Sequence, residues 1–567
     1  VGQNGRYHQY LIVVRPWTWL LTRTSDCKIF QDKTIRQIIE KVFADHPYAD
    51  FEFHLTSSYT TWAYCVQYRE SDFNFLTRLM EQEGMHFFFR HQNGKHTLVI
   101  ADSLRAHVAA DHYGEVRFRE PETTHARADE GIREWSHGAE IQPTRFIQRD
   151  FNFEKPRADM QADAGPARPL KHQHQAAFDI FDYPGEYEER GEGQRIAAVR
   201  IEEMRHQFDH FNGEGNAAGL ATGGLFKLLE HPRDDQNQEY LIVEADYRVE
   251  ESPLESELAT TELIGLRFRA IPSAQIFHPP RLTPKPIVQG PQTAIVVGPA
   301  GDEIYTDKYG RVKVQFHWDR YGKKDQNSSC WIRVSHPWAG QNWGMIAIPR
   351  IGQEVIVEFL EGDPDRPIIT GRVYNADQMP PYALPANMTQ TGIKTRSTKG
   401  GGVANFNEIR FEDKKGAEQV YIHAEKNQDI VVENDETTNV GHDRTETVGH
   451  DETITIHNDR TETVDGNETV SIKKNRTHSV DGNETVSVTG NRSESVQGNE
   501  SVDVTGKLDH SITGAASYTS PTSITLTVGG STVEIKPTGI TLSFGASSVK
   551  IDAMGIAQMG PKISLNG

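Results

Sequence analysis

The sequence predicts a mainly β protein with some α, built from unlike segments, and three observations predict it. Between residues 440 and 512 an apolar residue stands at every eighth position. Between 292 and 376 about five or six short strand-like runs are separated by tight turns. Before them, helix-length stretches with one apolar face alternate with strand-like runs. At 567 residues the chain is long enough for several domains.

Residues 1–280 read as a mixed α+β region. Tyr10–Val14 is strand-like. Asp32 is placed to cap a helix with Ile35, Ile38, Ile39, Val42 and Phe43 inward, the spacing of one helical face. Ser71 or Asp72 starts a second helix with Phe73, Leu76, Leu79 and Met80 inward, and Gly84 ends it. Met85–Arg90 and Thr97–Ile100 read as strands around a turn at Asn93-Gly94. A third helix is expected between Gln194 and Phe208, with loop-rich stretches at Gly165–Pro169 and Asn212–Gly224. His172 and His174 stand in a polar loop and are expected to be solvated.

Prolines make 281–291 a linker. Residues 292–376 then carry the runs Ala294–Val297, Arg311–Phe316, Ser329–Val334, Gly344–Ile348, Glu354–Phe359 and Pro367–Val373, which suggest a small closed barrel. Residues 377–430 form a polar connector with a turn at Lys399–Gly402 and two strand-like pieces, Glu408–Glu412 and Gln419–Ala424.

Residues 431–567 have a different texture. Val440, Val448, Ile456, Val464, Ile472, Val480, Val488, Val496, Val504 and Ile512 keep an unbroken period of eight. A turn former often stands two residues on, as at Gly466, Gly482, Gly490, Gly498 and Gly506. A second period, of sixteen, is superimposed. Four residues past the apolar position the residue alternates Arg444, Glu452, Arg460, Glu468, Arg476, Glu484, Arg492, Glu500. Two residues before it the series is Glu446, Ile454, Glu462, Val470, His478, Val486, Glu494, Val502, His510. The tail keeps the period of sixteen: Ile524 with Ile540, Val533 with Val549, Ile535 with Ile551, Gly539 with Gly555.

A fixed period means stacked units, none of which buries its face alone. One or two apolar side chains per octad make too thin a core to offset the ordering entropy of a single-chain solenoid. Three chains wound together triple the apolar content of each layer and pair every strand edge. The expectation is therefore a triple-stranded intertwined β-helix with a corner at the Gly/Asn site. Strands one octad apart stack at ~4.8 Å, so Arg of one layer meets Glu of the next and ten layers give a rod of roughly 45 Å. Whether that ladder faces inward or outward stays open. Disorder does not keep a strict apolar period, and a water-ordering Thr array leaves the rest of the chain without a role.

Composition narrows the function. Apolar residues are 36%, charged residues 25%, and the formal net charge is −20, which repels nucleic acid and anionic membranes. Cys27, Cys65 and Cys330 contain no CxxC pair and are expected to be buried free thiols. No apolar run approaches the ~20 residues of a membrane span. No signal segment precedes the first strand-like run, and the opening at Val1 reads as a fragment.

No HExxH, GxSxG, phosphate-binding loop or dinucleotide fingerprint is present, so neither catalytic residues nor a cofactor are expected. Tyr309, Phe316, Trp318, Trp331 and Trp343 are of a type that stacks on single-stranded nucleic acid, but the acidic balance favours packing. No metal site is expected either. If one existed, its ligands would be His478 and His510, which occupy an octad position that is apolar in alternate layers. Hydrogen-bonded or hydrated imidazoles are the plainer expectation.

Several stretches resemble VgrG, the spike family of type VI secretion systems, and through it the hub and spike proteins of contractile phage tails. They are Tyr68-Arg69-Glu70-Ser71-Asp72-Phe73, Leu79-Met80-Glu81-Gln82-Glu83-Gly84, Phe181-Asp182-Tyr183-Pro184-Gly185-Glu186-Tyr187, Asp307-Lys308-Tyr309-Gly310-Arg311-Val312-Lys313-Val314, Trp331-Ile332-Arg333-Val334, Ile348-Pro349-Arg350-Ile351-Gly352-Gln353-Glu354-Val355 and Glu361-Gly362-Asp363-Pro364-Asp365-Arg366-Pro367. The resemblance implies a hub of two β-barrels in residues 1–280, with the first lacking its opening strands. It implies an oligonucleotide-binding-type barrel at 292–376 and a needle after it. It also implies a homotrimer on the hexameric Hcp tube, a PAAR-type tip protein, secreted effectors with their chaperones, and transient contact with a target membrane. Such a spike assembles in the cytoplasm and is then secreted. The alternative is the same spike in a longer chain with an enzymatic effector domain.

Overall fold

The computed structural model describes residues 2–4, 7–10, 12–120, 129–167, 178–250 and 263–564. His172 and His174 lie outside the described residues. The chain divides into two units, Val1–Glu436 and Thr437–Gly567.

In the first unit the helix Ile35–Phe43 buries the five predicted residues, each at most 3% exposed. Its cap is Thr34, not Asp32. The Thr34 hydroxyl accepts from the Gln37 N–H, and the Gln37 side chain accepts from the Thr34 N–H at 3.0 Å. This reciprocal box needs a Gln or Glu three residues on, which Thr34 has; Asp32 instead lies within the preceding strand Ser25–Lys33. The helix Asp72–Glu83 is capped by Ser71 and ends at Gly84, whose φ of 76° favours glycine. Phe75 takes the core place expected of Phe73, stacking on Phe30, while Phe73 packs half-buried at the margin.

Tyr10 and Ile12–Val14 are irregular rather than a strand, and the strand Asp209–Gly215 runs into the stretch from Asn212 where a loop is expected. The latter belongs to a seven-stranded sheet that also holds Leu263–Pro272 and Glu239–Glu250. The third helix spans Arg190–Arg205. Buried Arg200 donates from it to the carbonyls of Glu81 and Gln82 at 2.6 and 2.9 Å, tying it to the end of the second helix.

Beside that contact lies a group of buried histidines. His86 and His107 stack with their Nε2 atoms 3.1 Å apart, and His278 Nδ1 donates to the Gly84 carbonyl at 2.7 Å. His206 packs edge-on to Phe277. Burial holds His86 down at about 3 and His206 at about 4. The unfolded chain binds these protons near pH 6.5, so stability is full above that value and falls as the pH drops toward the folded values. Buried Glu83 and Glu203, whose pKa values burial raises, take up protons in the folded state and oppose the loss. The two histidines together are expected to cost about 3 kcal/mol between pH 6.5 and 5. A urea midpoint that falls over this range in the parent, and falls less far in His86→Leu, where His107, His206 and His278 remain, checks it.

The strands Lys313–Phe316, Gln292–Val297, Glu354–Phe359, Pro367–Val373 and Arg333–Val334 pair in that order. A bridge between Val312 and Ile332 joins the two ends, closing a five-stranded barrel around Val296, Val314, Phe316, Val355 and Ile369. The expected sixth strand is not in it: Gly344–Met345 pairs with Trp338–Ala339 in a separate hairpin. Phe316 is core, and Trp318 stacks on it and meets Tyr68. The connector gains a strand over expectation, forming a sheet of Gln390–Lys394, Glu408–Glu412 and Gln419–His423. All three cysteines are free, but only Cys65 is fully buried.

In the second unit, residues 437–523 make no helix or strand with their own chain. The tail departs from expectation. Ile524–Val528, Ser531–Lys536, Gly539–Phe544, Ser547–Asp552 and Gly555–Met559 form one antiparallel meander within the chain, not a continuation of the winding.

Candidate assembly surface

Two features are the candidates: a charged clamp that ties the barrel to the linker and the first region, and the octad face. The clamp centres on Lys285, which stands between two prolines of the linker. Its ammonium lies 2.8 Å from Asp363, 3.0 Å from Asp365 and 3.4 Å from Glu186. The second oxygen of Asp365 accepts the Val66 N–H at 2.6 Å, and Arg366 reaches buried Asp150 at 3.1 Å. The Glu361–Pro367 loop thus binds linker and first region together. Burial pulls the Lys285 ammonium toward neutrality, and the carboxylates of Asp365, Asp363 and Glu186 outweigh it, holding its pKa above the ordinary lysine value. Sequence reasoning missed this clamp; a lone lysine between prolines was its only local signal.

In the octads the backbone bends in pairs at 441/442, 449/450, 457/458 and so on to 521/522, always eight apart. The same spacing holds at 425/426 and 433/434, so Val432 is an octad member that the sequence reading passed over. None of the glycines at these bends has a positive φ, and a Cβ on each would meet open space. Within one chain the corner does not demand a glycine, and His442, His450 and Lys474 stand where other octads have Gly.

Six residues separate successive bend pairs. Side chains alternate along an extended segment, so Val448, Glu446 and Arg444 share one face while Thr447, Thr445 and Asp443 share the other. Contacts agree: Arg444 pairs with Glu446 at 2.9 Å, Arg460 with Glu462 at 2.9 Å and Arg492 with Glu494 at 3.0 Å. The Arg/Glu series therefore lies on the apolar face. Within one chain, Arg444, Arg460 and Arg492 each pair with the Glu two residues along their own segment. Among the described residues 437–523, no backbone hydrogen bond joins one octad to the next.

The ten octad residues Val440 to Ile512 remain 43% to 53% exposed, and Ile454, Val470, Val486 and Val502 remain 59% to 69% exposed. A regular apolar face and unpaired extended backbone lie open together. Burying what is left of each Val or Ile is worth roughly 1 kcal/mol. His478 is also exposed and lies 3.7 Å from Glu484, and His510 holds the same octad position further on. Among the described residues no group of three or more metal-ligating side chains comes together within the chain.

Comparison with known proteins follows the same order of segments. Residues 1–253 match the phage tail baseplate hub (GPD) family, and 293–374 match the type VI secretion system/phage-baseplate injector OB domain. Residues 391–504 match the bacteriophage T4 gp5 C-terminal trimerisation domain. Hub, small closed barrel and trimerisation segment, in that order, define a hub-and-spike protein of the phage-tail class. The chain is 53% identical over 450 residues to the type VI secretion system spike protein VgrG1b of Pseudomonas aeruginosa, covering 78% of this chain and 60% of that one. It is 51% identical over 447 residues to VgrG1a of the same organism, covering 78% and 68%. The chain belongs to the VgrG family of type VI secretion system spike proteins. It spans about 60% of the length of the first of these relatives. Among solved structures, the E. coli c3393 protein, a component of the type VI secretion system, aligns with a TM-score of 0.43 at 19% identity, over 63% of this chain and 76% of that one.

Proposed function

We propose that the chain is the structural spike of a type VI secretion system and acts as a homotrimer. The observation that carries this is the octad face: fourteen apolar side chains in a fixed series, on backbone with no partner in its own chain. Three chains winding about one axis turn these faces inward and pair the backbone between chains. Arg of one octad then meets Glu of a neighbouring chain, which restores the charge ladder across chains rather than within one. The region 1–280 seats on the hexameric Hcp tube, and the clamp keeps the barrel in line behind it. The far end carries a PAAR-type tip protein and, with it, effectors and their chaperones.

The action is mechanical. Contraction behind the tube drives a narrow, stiff rod through the target envelope, and no bond is made or broken by the chain. The spike assembles in the cytoplasm and leaves with the tube. No described helix is long and apolar enough to cross a membrane, so contact with the target envelope is transient in this reading. A second reading, a longer chain with an enzymatic effector domain, draws on the greater length of the relatives. Mixing the purified chain with the hexameric tube protein is expected to give a complex of three copies to six. Failure to bind, with the tube protein intact, contradicts the docking role.

A further inference from the structure

The tetrapeptide Val-Gly-His-Asp occurs twice, eight residues apart, at 440–443 and 448–451. It places His442 and His450 at the second position of successive bend pairs, 441/442 and 449/450. Their side chains are 92% and 93% exposed. In each octad the imidazole Nδ1 lies against the carboxylate of the next residue, His442 to Asp443 at 2.9 Å and His450 to Asp451 at 2.7 Å. A carboxylate only accepts, so in the neutral ring Nδ1 carries the proton and Nε2 offers its lone pair to solvent. A carboxylate behind an imidazole is the arrangement that orients histidine toward a metal ion. At the same two octad places the chain later has Gly466-Asn467, Gly482-Asn483, Gly490-Asn491 and Gly498-Asn499. Histidine and acid are replaced there together.

We propose that His442 of one chain and His450 of a neighbouring chain bind a divalent transition-metal ion at the corners of the octad rod. The site rests on the trimeric reading of the octads. In a threefold winding the three copies of one octad lie on three faces at one level, and each chain turns onto the next face one level on. Every corner then stacks the 442 bend of one chain against the 450 bend of the next, ~4.8 Å apart. In one chain six extended residues separate the two bends, so only a neighbouring chain brings the pair together. Two imidazole nitrogens on one tetrahedral ion, each at ~2.1 Å, are roughly 3.4 Å apart. Side chains this exposed reach that spacing by leaning together, and water fills the remaining positions. Imidazole suits zinc, nickel and copper rather than calcium or magnesium. Asp443 and Asp451 also place negative charge beside the ion. Each ion ties two chains together across a corner.

The test uses the whole chain without a histidine tag, stripped of metal, dialysed against Zn²⁺ and weighed in solution by light scattering. The comparison is His442→Gly/His450→Gly, which installs the residue that later octads carry at this place. A parent trimer that retains about three more Zn²⁺ than the variant trimer is expected, one for each corner. A parent trimer that retains no more than the variant overturns the site, with the trimeric reading intact, and marks any bound zinc as adventitious. A monomeric parent overturns the trimeric reading and the site with it. If the glycine variant does not assemble, Asp443→Asn/Asp451→Asn, again the residue of later octads, is titrated with Zn²⁺ instead. Binding about 10-fold weaker than the parent's is then expected. Unchanged affinity overturns the site.

Discussion

Val488→Asp is expected to leave the chain monomeric at concentrations where the parent is a trimer. Val488 is the seventh of the ten octad residues, half exposed in the single chain and on the face that the proposed trimer buries. Three copies place three new carboxylates near one axis. Each ionised group taken from water without a partner costs several kcal/mol. Glu484 already stands on the same face of the same strand, so the new charge meets a like charge as well. Thr485→Asp lies three residues away and therefore on the opposite face, where a charge stays hydrated. It is expected to change stability by no more than about 0.5 kcal/mol. Sedimentation of the two variants beside the parent reads the difference directly, and equal behaviour contradicts the assignment of faces.

Lys285→Met is expected to destabilise the first unit by about 3 kcal/mol. The substitution keeps most of the volume but leaves Asp363, Asp365 and Glu186 facing one another without their shared cation. Burial already raises the pKa of Asp365, with Lys285 the strongest influence against it, so removing the lysine pushes that carboxyl further up. The Val66 N–H then donates to a carboxyl that prefers its proton. A lower denaturant midpoint for Lys285→Met, partly recovered by adding Asp365→Asn, is the expected pattern; an unchanged midpoint contradicts the clamp.

The parts legible in the sequence were those whose cause is local. The helix Ile35–Phe43 shows itself through five apolar residues at helical spacing, and its true cap through Gln37 three residues after Thr34. The barrel strands show through alternation and turns, although alternation alone does not say that Gly344–Met345 leaves the barrel for a hairpin. In the octads the period fixed which residues share a face. It did not fix which segments are neighbours, because in the proposed trimer those neighbours belong to other chains.

The tail shows the same limit differently. Its period of sixteen equals two strands and two turns, and a period does not distinguish a chain that folds back from one that winds onward. The distinguishing signal was in the turns. Gly529-Gly530 and Gly545-Ala546 are two-residue loops with positive φ at the first glycine, a hairpin signature that the octad glycines lack. The clamp was illegible for a plainer reason: its residues are 78 and 299 positions apart in sequence, and nothing local to Lys285 or Val66 anticipates the meeting.

The central claim is that the octad face is completed by two further copies of the chain. The mass of the intact chain in solution, by light scattering coupled to size exclusion, tests it most directly. The account predicts three times the chain mass of 63.9 kDa, persisting in mild denaturant. A species of 63.9 kDa, with the octads intact and the protein folded, would contradict it.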